Sequence, residues 1–127
     1  MVLSGRNDVR FNNNGSLDQS FGRNGVTKTI IGNYSEAESV ALDLNGNIVV
    51  AGTTELGNEQ FVVAMYNQNG MLETGFGSNG IVKTNFTENS VDRAHSVIID
   101  NDGNIIVAGE TKNEYTTFGL VKLIGKW

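Results

Sequence analysis

The acidic side chains are the residues of this 127-residue chain whose types and spacing suggest a binding site. Eight of the fourteen Asp and Glu residues fall within four short segments, at 32–38, 53–59, 87–95 and 110–116. These eight are Glu36, Glu38, Glu55, Glu59, Glu88, Asp92, Glu110 and Glu114, opposed there only by Arg93 and Lys112. If the four segments are loops on one face, their carboxylates suit a cationic ligand, a basic protein or a metal ion. The same residues also fit a solvated, solubilising rim.

The single histidine, His95, lies beside Asp92 and Arg93 and completes this candidate recognition face. Asp92 could orient the imidazole for general base chemistry, but no Ser or Cys stands in a recognisable nucleophile context. We therefore expect a polar loop residue here, with no catalytic, cofactor-binding or metal-binding residues and no enzymatic activity. In a ring of identical subunits His95 would repeat around the axis, so an axial enzyme or metal site remains a third alternative.

Two further patterns resemble ligand loops but have simpler interpretations. Asp43-Leu44-Asn45-Gly46 and Asp100-Asn101-Asp102-Gly103 begin like calcium loops, yet no bidentate Glu follows at the required offset, so tight hairpin turns are predicted. Phe21-Gly22-Arg23-Asn24-Gly25 has the glycines of a phosphate loop but lacks the following Lys-Ser/Thr. It is predicted to hold a buried aromatic ahead of a glycine turn.

Aromatic residues in asparagine-rich surroundings raise a carbohydrate-binding alternative. A sugar site needs an aromatic platform flanked by amides or carboxylates. The candidate platforms are Tyr34, Tyr66, Tyr115 and Trp127. The partner is then a carbohydrate instead of a protein.

Composition argues against several classes of partner. The formal net charge of −5 disfavours nucleic acid and an anionic membrane surface, because both need a surplus of basic residues. No apolar run approaches the roughly 18 residues of a membrane span. The absence of Cys excludes disulfides and thiolate metal sites. No signal peptide is visible, which by itself favours the cytoplasm.

A long internal repeat organises the whole chain, which we treat as one domain. Residues 10–64 form one copy and residues 65–121 a second, with a partial copy at 1–12 and the start of another at 122–127. Matching residues lie 55 apart in the first half of the copy and 57 apart in the second half. The two extra residues must lie within 84–95, which is therefore predicted to be a loop. A fixed period of this kind predicts stacked structural units.

Each copy contains four strand-like segments, labelled A to D, and no helical periodicity. The A strands are predicted at 39–44 and 96–100, B at 47–54 and 104–111, C at 60–66 and 118–124, and D at 25–31 and 80–86. The apolar segments Ile48–Ala51 and Ile105–Ala108 predict strands covered on both faces. Four-stranded antiparallel units in series predict an all-β fold of β-propeller type, with the strand order B–C–D, A–B–C–D, A–B–C.

Ten strands are too few for a closed propeller, which typically has at least about four blades. We expect several copies of the chain to close a ring of about six blades as a homo-oligomer. The alternative is that the chain is a piece of a longer array.

The repeat resembles the bacterial delta-sixty repeat family of predicted β-propellers, and its Gly-Asn-Ile core is similar to NHL repeats. The resemblance is carried by residues 14–18, 21–25 and 45–52 in the first copy and by 69–73, 76–80 and 102–109 in the second. It implies a propeller fold and a secreted or cell-surface location, so localisation stays open. It implies no shared enzymatic activity, which leaves a structural or protein-interaction module as the expected function.

Overall fold

The computed structural model describes residues 2–4 and 7–125, which form ten strands in three antiparallel sheets and no helix. The first sheet contains β1 (Val2–Ser4), β2 (Asn7–Val9) and β3 (Val26–Lys28). The second contains β4 (Tyr34–Leu42), β5 (Ile48–Leu56), β6 (Asn58–Tyr66) and β7 (Ile81–Thr84). The third contains β8 (Val91–Ile99), β9 (Ile105–Lys112) and β10 (Thr116–Leu123). Within these ranges there is accordingly no helical segment able to span a bilayer.

Strands that follow one another in the chain are neighbours in each sheet. The arrangement confirms the predicted order B–C–D, A–B–C–D, A–B–C. Each repeat supplies the last strand of one sheet and the first three strands of the next sheet. The repeat therefore ties neighbouring sheets together covalently instead of folding into one sheet of its own.

The A, B and C strands extend at one end beyond their predicted bounds, whereas the D strands β3 and β7 are shorter than predicted, and the extensions change the meaning of the acidic segments. β4 begins at Tyr34, β5 runs to Leu56 and β8 begins at Val91, so most of the acidic residues lie on strand ends and not in loops. The loop prediction for 84–95 is wrong for residues 91–95, although the two extra residues do precede β8. The polar strand ends were missed because strand propensity depends on which neighbours cover each face.

A β-bulge explains the glycine inside each long second strand. The pairing of β4 with β5 shifts between Ala37 and Ser39. This shift places the backbone carbonyl of Glu36 against Gly52, where an added Cβ atom would collide with it. The third sheet repeats the bulge and the close approach at Gly109. The glycine is thus required by backbone contact, as is common at bulges.

Two apolar layers hold the three sheets together. The layer between the first and second sheets contains Phe21, Ile31, Ile48, Val50, Val62, Ala64 and Tyr66. The layer between the second and third sheets contains Val49, Ala51, Phe61, Val63, Met65, Phe76, Ala94, Val97, Ile105 and Val107. Because β5 contributes to both layers, the prediction that Ile48–Ala51 is covered on both faces is confirmed.

The aromatic residue of each glycine-rich turn is a core residue, as predicted. Phe21 and Phe76 are almost completely buried. After Phe21 the chain turns through positive φ angles at Gly22, Asn24 and Gly25. Arg10 lies over the Phe21 ring, with its guanidinium carbon 4.7 Å from the ring centre. The motif is therefore a structural plug and not a phosphate loop.

Candidate recognition site

A charged cleft gathers most of the predicted recognition residues. It encloses about 490 Å³ between the ends of β4, β5, β6 and β8. Its lining residues are Tyr34, Glu36, Glu38, Thr53, Glu55, Glu59, Arg93 and His95. The strands bring these side chains together because β4 and β8, the A strands of two neighbouring sheets, pack side by side. The cleft combines four carboxylates with one guanidinium and so favours a cationic ligand.

Ion pairs already satisfy part of this charge. The Arg93 guanidinium donates to both carboxylate oxygens of Glu59, with nitrogen–oxygen distances of 2.5 and 3.1 Å. Hydrogen bonding and the charge of Glu59 raise the pKa of Arg93 further above its ordinary value. Glu110 lies 3.7 Å from Arg93 and 3.8 Å from His95. These side chains are partly exposed to water, so the pairs position the groups more than they stabilise the fold.

Three further carboxylates line the same cleft. Glu36 accepts a 2.6 Å hydrogen bond from the Tyr34 hydroxyl. Glu38 occupies the bulge of β4 at the position that His95 occupies in the bulge of β8. Glu55 pairs across the sheet with Tyr34 and faces the same space. Glu36, Glu38 and Glu55 thus add to the negative charge of the cleft.

Asp92 does not belong to the recognition face, and the structure does not bring it to His95 in the way that the alternative of general base chemistry would need. Asp92 is completely buried and accepts three hydrogen bonds, from the Phe86 amide and from the hydroxyls of Ser90 and Thr111. Its carboxylate therefore fastens the loop before β8 to β9. The error arose because segment 87–95 was treated as an exposed loop, whereas Asp92 lies on the inward face of a strand.

Two other acidic residues of the predicted face also lie away from the cleft. Glu88 belongs to the loop between β7 and β8, where its backbone carbonyl accepts a hydrogen bond from Asn58. Glu114 lies in the turn between β9 and β10 and is exposed. The acidic residues therefore do not form one continuous face.

The structure also shows which of the predicted aromatic platforms are accessible to a ligand. Tyr66 is buried and donates a 2.7 Å hydrogen bond to Thr29, so its proposed role as a sugar platform is wrong. Tyr115 is exposed and lies apart from the cleft, in the turn before β10. Trp127 lies outside the described residues. Tyr34 is therefore the aromatic residue available in the cleft.

The two Asp-containing turns are hairpins, as predicted. The Asp43 carboxylate accepts hydrogen bonds from the amides of Asn45 and Asn47 and from the Asn47 side chain. Asp100 makes the equivalent bonds in the third sheet. Hydrogen bonds from Asn104 hold the pKa of Asp100 well below its usual range. Local donors therefore occupy the oxygens that a calcium loop would direct at the ion.

A buried carboxylate at the first layer was not predicted. Asp8 lies opposite Thr27 on β3, as Val63 lies opposite Val82 in the second sheet. Asp8 is only 6% exposed and borders a cavity of about 40 Å³. Burial raises its pKa from 3.8 to about 6. The sequence does contain a sign of this site: Asp8 is a charged residue at a repeat position that is otherwise apolar, as Val63 and Leu120 show.

Among the described residues, no other strand covers the outer face of the third sheet. We call this surface the free face and define it by Ile98, Ile106, Ala108, Phe118 and Leu120. Pairing places these residues on one side, since Leu120 lies opposite Ala108 and Ile98 lies opposite Ile106. Phe118 is 99% exposed and Leu120 is 66% exposed. Such a patch is unusual on an isolated soluble domain and commonly marks an interaction surface.

The same positions in the second sheet are buried. Phe118 corresponds to Phe61, which is 1% exposed, and Leu120 corresponds to Val63, which is 3% exposed. The prediction that Ile105–Ala108 is covered on both faces is therefore wrong for Ile106 and Ala108. Within the described ranges, the third sheet covers the second, and no further sheet covers the third.

Comparison with known families agrees with this architecture. A family model described as a domain of unknown function (DUF5122) beta-propeller matches residues 9–21 and 44–76. The fold is of the β-propeller type. Both matched stretches end at the buried aromatic of the glycine-rich turn, Phe21 or Phe76. No curated protein matches the chain.

Proposed function

We propose that this protein is a non-catalytic propeller module whose role is assembly, and that it closes a ring of about six blades as a homo-oligomer. The bare free face of the third sheet carries this proposal. Burying apolar surface stabilises a contact by roughly 25 cal/mol per Å², and large exposed apolar side chains are the main unburied source of that energy.

The internal packing supports the same conclusion. Phe61 is seated against Gly109 and Gly119 of the third sheet and meets Phe86 edge-on, with ring centres 5.1 Å apart. The third sheet thus buries the Phe61 copy of this repeated phenylalanine within the chain. Phe118 offers the identical side chain to a further propeller sheet.

A non-catalytic role is also consistent with the neighbours of His95. The Glu110 carboxylate lies 3.8 Å from its imidazole. Within the described residues no hydroxyl group forms a hydrogen bond with the imidazole. The observed partner of the imidazole is thus a carboxylate, which fits a polar residue in a charged cleft.

Sedimentation velocity at increasing protein concentration tests the proposal. The wild-type chain should associate, and Phe118→Glu should shift it towards a single chain of 13.7 kDa. Tyr115→Glu is the matched control, because Tyr115 is also an exposed aromatic but lies off the free face. A wild-type protein that stays monomeric at high concentration contradicts the proposal.

A lectin-like role is the second candidate, and the charged cleft favours it. Tyr34 is partly exposed and lines the cleft together with Glu36 and Glu55, which resembles the aromatic and carboxylate lining of sugar sites. A glycan array with the wild type and Tyr34→Ala separates the candidates. Binding that disappears in the variant supports the lectin, whereas no binding leaves assembly as the function.

We further propose that the chain is a relative of the delta-sixty repeat proteins. The partial family match and the strand order support a propeller repeat of this general kind.

A further inference from the structure

We propose that the free face docks onto the outer face of the first sheet in a second copy of the chain, so that two copies close head to tail. This inference rests on the proposed assembly function and names its partner. We call the outer face of the first sheet the proximal face and define it by Val9, Phe11, Leu17 and Val26.

The proximal face is identified by pairing. Val9 lies opposite Val26, as Ala64 lies opposite Ile81 in the second sheet. Phe11 forms a bridge with Leu17, as Tyr66 does with Leu72. These positions in the second sheet all face the layer shared with the first sheet.

Among the described residues, no sheet packs on the equivalent positions of the first sheet. Phe11 and Leu17 are among the exposed large apolar side chains of the chain. Their equivalents Tyr66 and Leu72 are buried or partly buried. The proximal face is therefore a second unused apolar surface.

Each internal layer joins two unlike faces in the same order. Val63 and its neighbours on the second sheet pack against Val121 and Leu123 of the third sheet. Val121 and Leu123 correspond to Val9 and Phe11 of the proximal face, and Val63 corresponds to Leu120 of the free face. The two unused surfaces thus repeat a contact that the chain already makes internally, except that the first sheet has no A strand to supply equivalents of Ala94 and Val97.

Pairing between unlike faces is head to tail, so it produces either a ring or an open fibre. Closed propellers typically contain about four to eight blades. Two copies with three sheets each give six sheets, whereas three copies would give nine. A dimer is therefore the closed ring that this chain fits.

Mixing two variants tests the pairing. Phe118→Glu damages only the free face, and Phe11→Glu damages only the proximal face. Each variant alone should be monomeric by sedimentation velocity. A mixture should recover a species of twice the single-chain mass, because one intact free face then meets one intact proximal face. Circular dichroism and thermal unfolding of each variant establish that it is folded, and Tyr115→Glu serves as the control.

The outcomes separate this inference from the proposed function. Association that survives Phe11→Glu but not Phe118→Glu overturns the head-to-tail pairing and leaves assembly through the free face standing. A species larger than two chains overturns the two-copy ring. A wild-type monomer at all concentrations overturns both proposals. Recovery in the mixture supports both.

Discussion

Replacing Asp8 by Val should stabilise the protein, and by an amount that depends on pH. Asp8 is buried between the first and second sheets, at the position that Val63 occupies in the next layer. Burial raises its pKa from 3.8 to about 6. The folded protein therefore holds this proton more tightly than the unfolded chain, and the ionised form destabilises the fold.

The shift in the pKa of Asp8 gives the size of the change in stability. About two pKa units, at about 1.4 kcal/mol per unit, amount to about 3 kcal/mol against folding when Asp8 is ionised. The destabilisation by ionised Asp8 is absent below a pH of 3.8 and complete above a pH of about 6. The free energy of unfolding of the wild type therefore falls across this window as the pH rises. Apolar burial of the valine adds about 1 kcal/mol at every pH. Asp8→Val should thus gain roughly 3–4 kcal/mol at about pH 8 and about 1–2 kcal/mol at about pH 4.

Urea unfolding at several pH values measures this difference directly. Comparing Asp8→Val with the wild type at each pH cancels the titration of Asp18, Asp100 and the other carboxylates. The Phe118→Glu background should be used for both proteins, since association would otherwise add to the apparent stability. Asp8→Asn is the control for charge and should lose the pH dependence while gaining less stability. A gain that is equal at both pH values, or a loss at about pH 8, refutes the reasoning.

Two further substitutions test the structural roles assigned to single residues. Asp92→Ala should destabilise the fold by about 2–4 kcal/mol, because it leaves the Phe86 amide and the Thr111 hydroxyl without their acceptor. Glu88→Ala, in the neighbouring loop, should change stability by less than about 0.5 kcal/mol, and a similar loss in both would contradict the buried network. Gly52→Ala should cost about 2–4 kcal/mol in thermal or urea unfolding, since its Cβ meets the Glu36 carbonyl at the bulge. Gly75→Ala, where space is open, is the control, and equal tolerance at both positions would show that the bulge relaxes.

The repeat pattern predicted much of the fold because repetition and period-two alternation are local properties of the sequence. Strand order, hairpin turns and the buried Phe21 and Phe76 all follow from them. The strand ends were predicted less well, because residues 34–38 are mostly polar and the bulge at Glu38 interrupts the alternation along β4. Bulges depend on the partner strand, which a single strand sequence does not specify.

The candidate site was predicted only in part, for a related reason. Glu36, Glu38, Glu55, Arg93 and His95 do converge on one cleft. Asp92 and Tyr66 looked equally polar and exposed in the sequence, yet both are buried, because their orientation depends on which face of a strand packs inward. A one-residue change of register moves a side chain to the opposite face, and composition carries no information on this.

Phe61 and Phe118 show most clearly what the repeat alone cannot determine. They occupy the same position in two copies, yet one is buried and the other is almost fully exposed. Their difference depends on whether another sheet packs on top, which is a property of the stack and not of the repeat.

Asp8 lies on the strand that also carries part of the proximal face. Asp8 and Val9 are adjacent on β2, so their side chains point to opposite faces of the first sheet. One face places Asp8 in the layer shared with the second sheet, and the other is the proximal face. The first sheet is therefore held internally by the smaller of the two apolar layers, and a second copy docking on Val9 and Phe11 would add a second apolar contact to this sheet. Since any partner that binds only the folded state stabilises it, association should protect the first sheet more than the second.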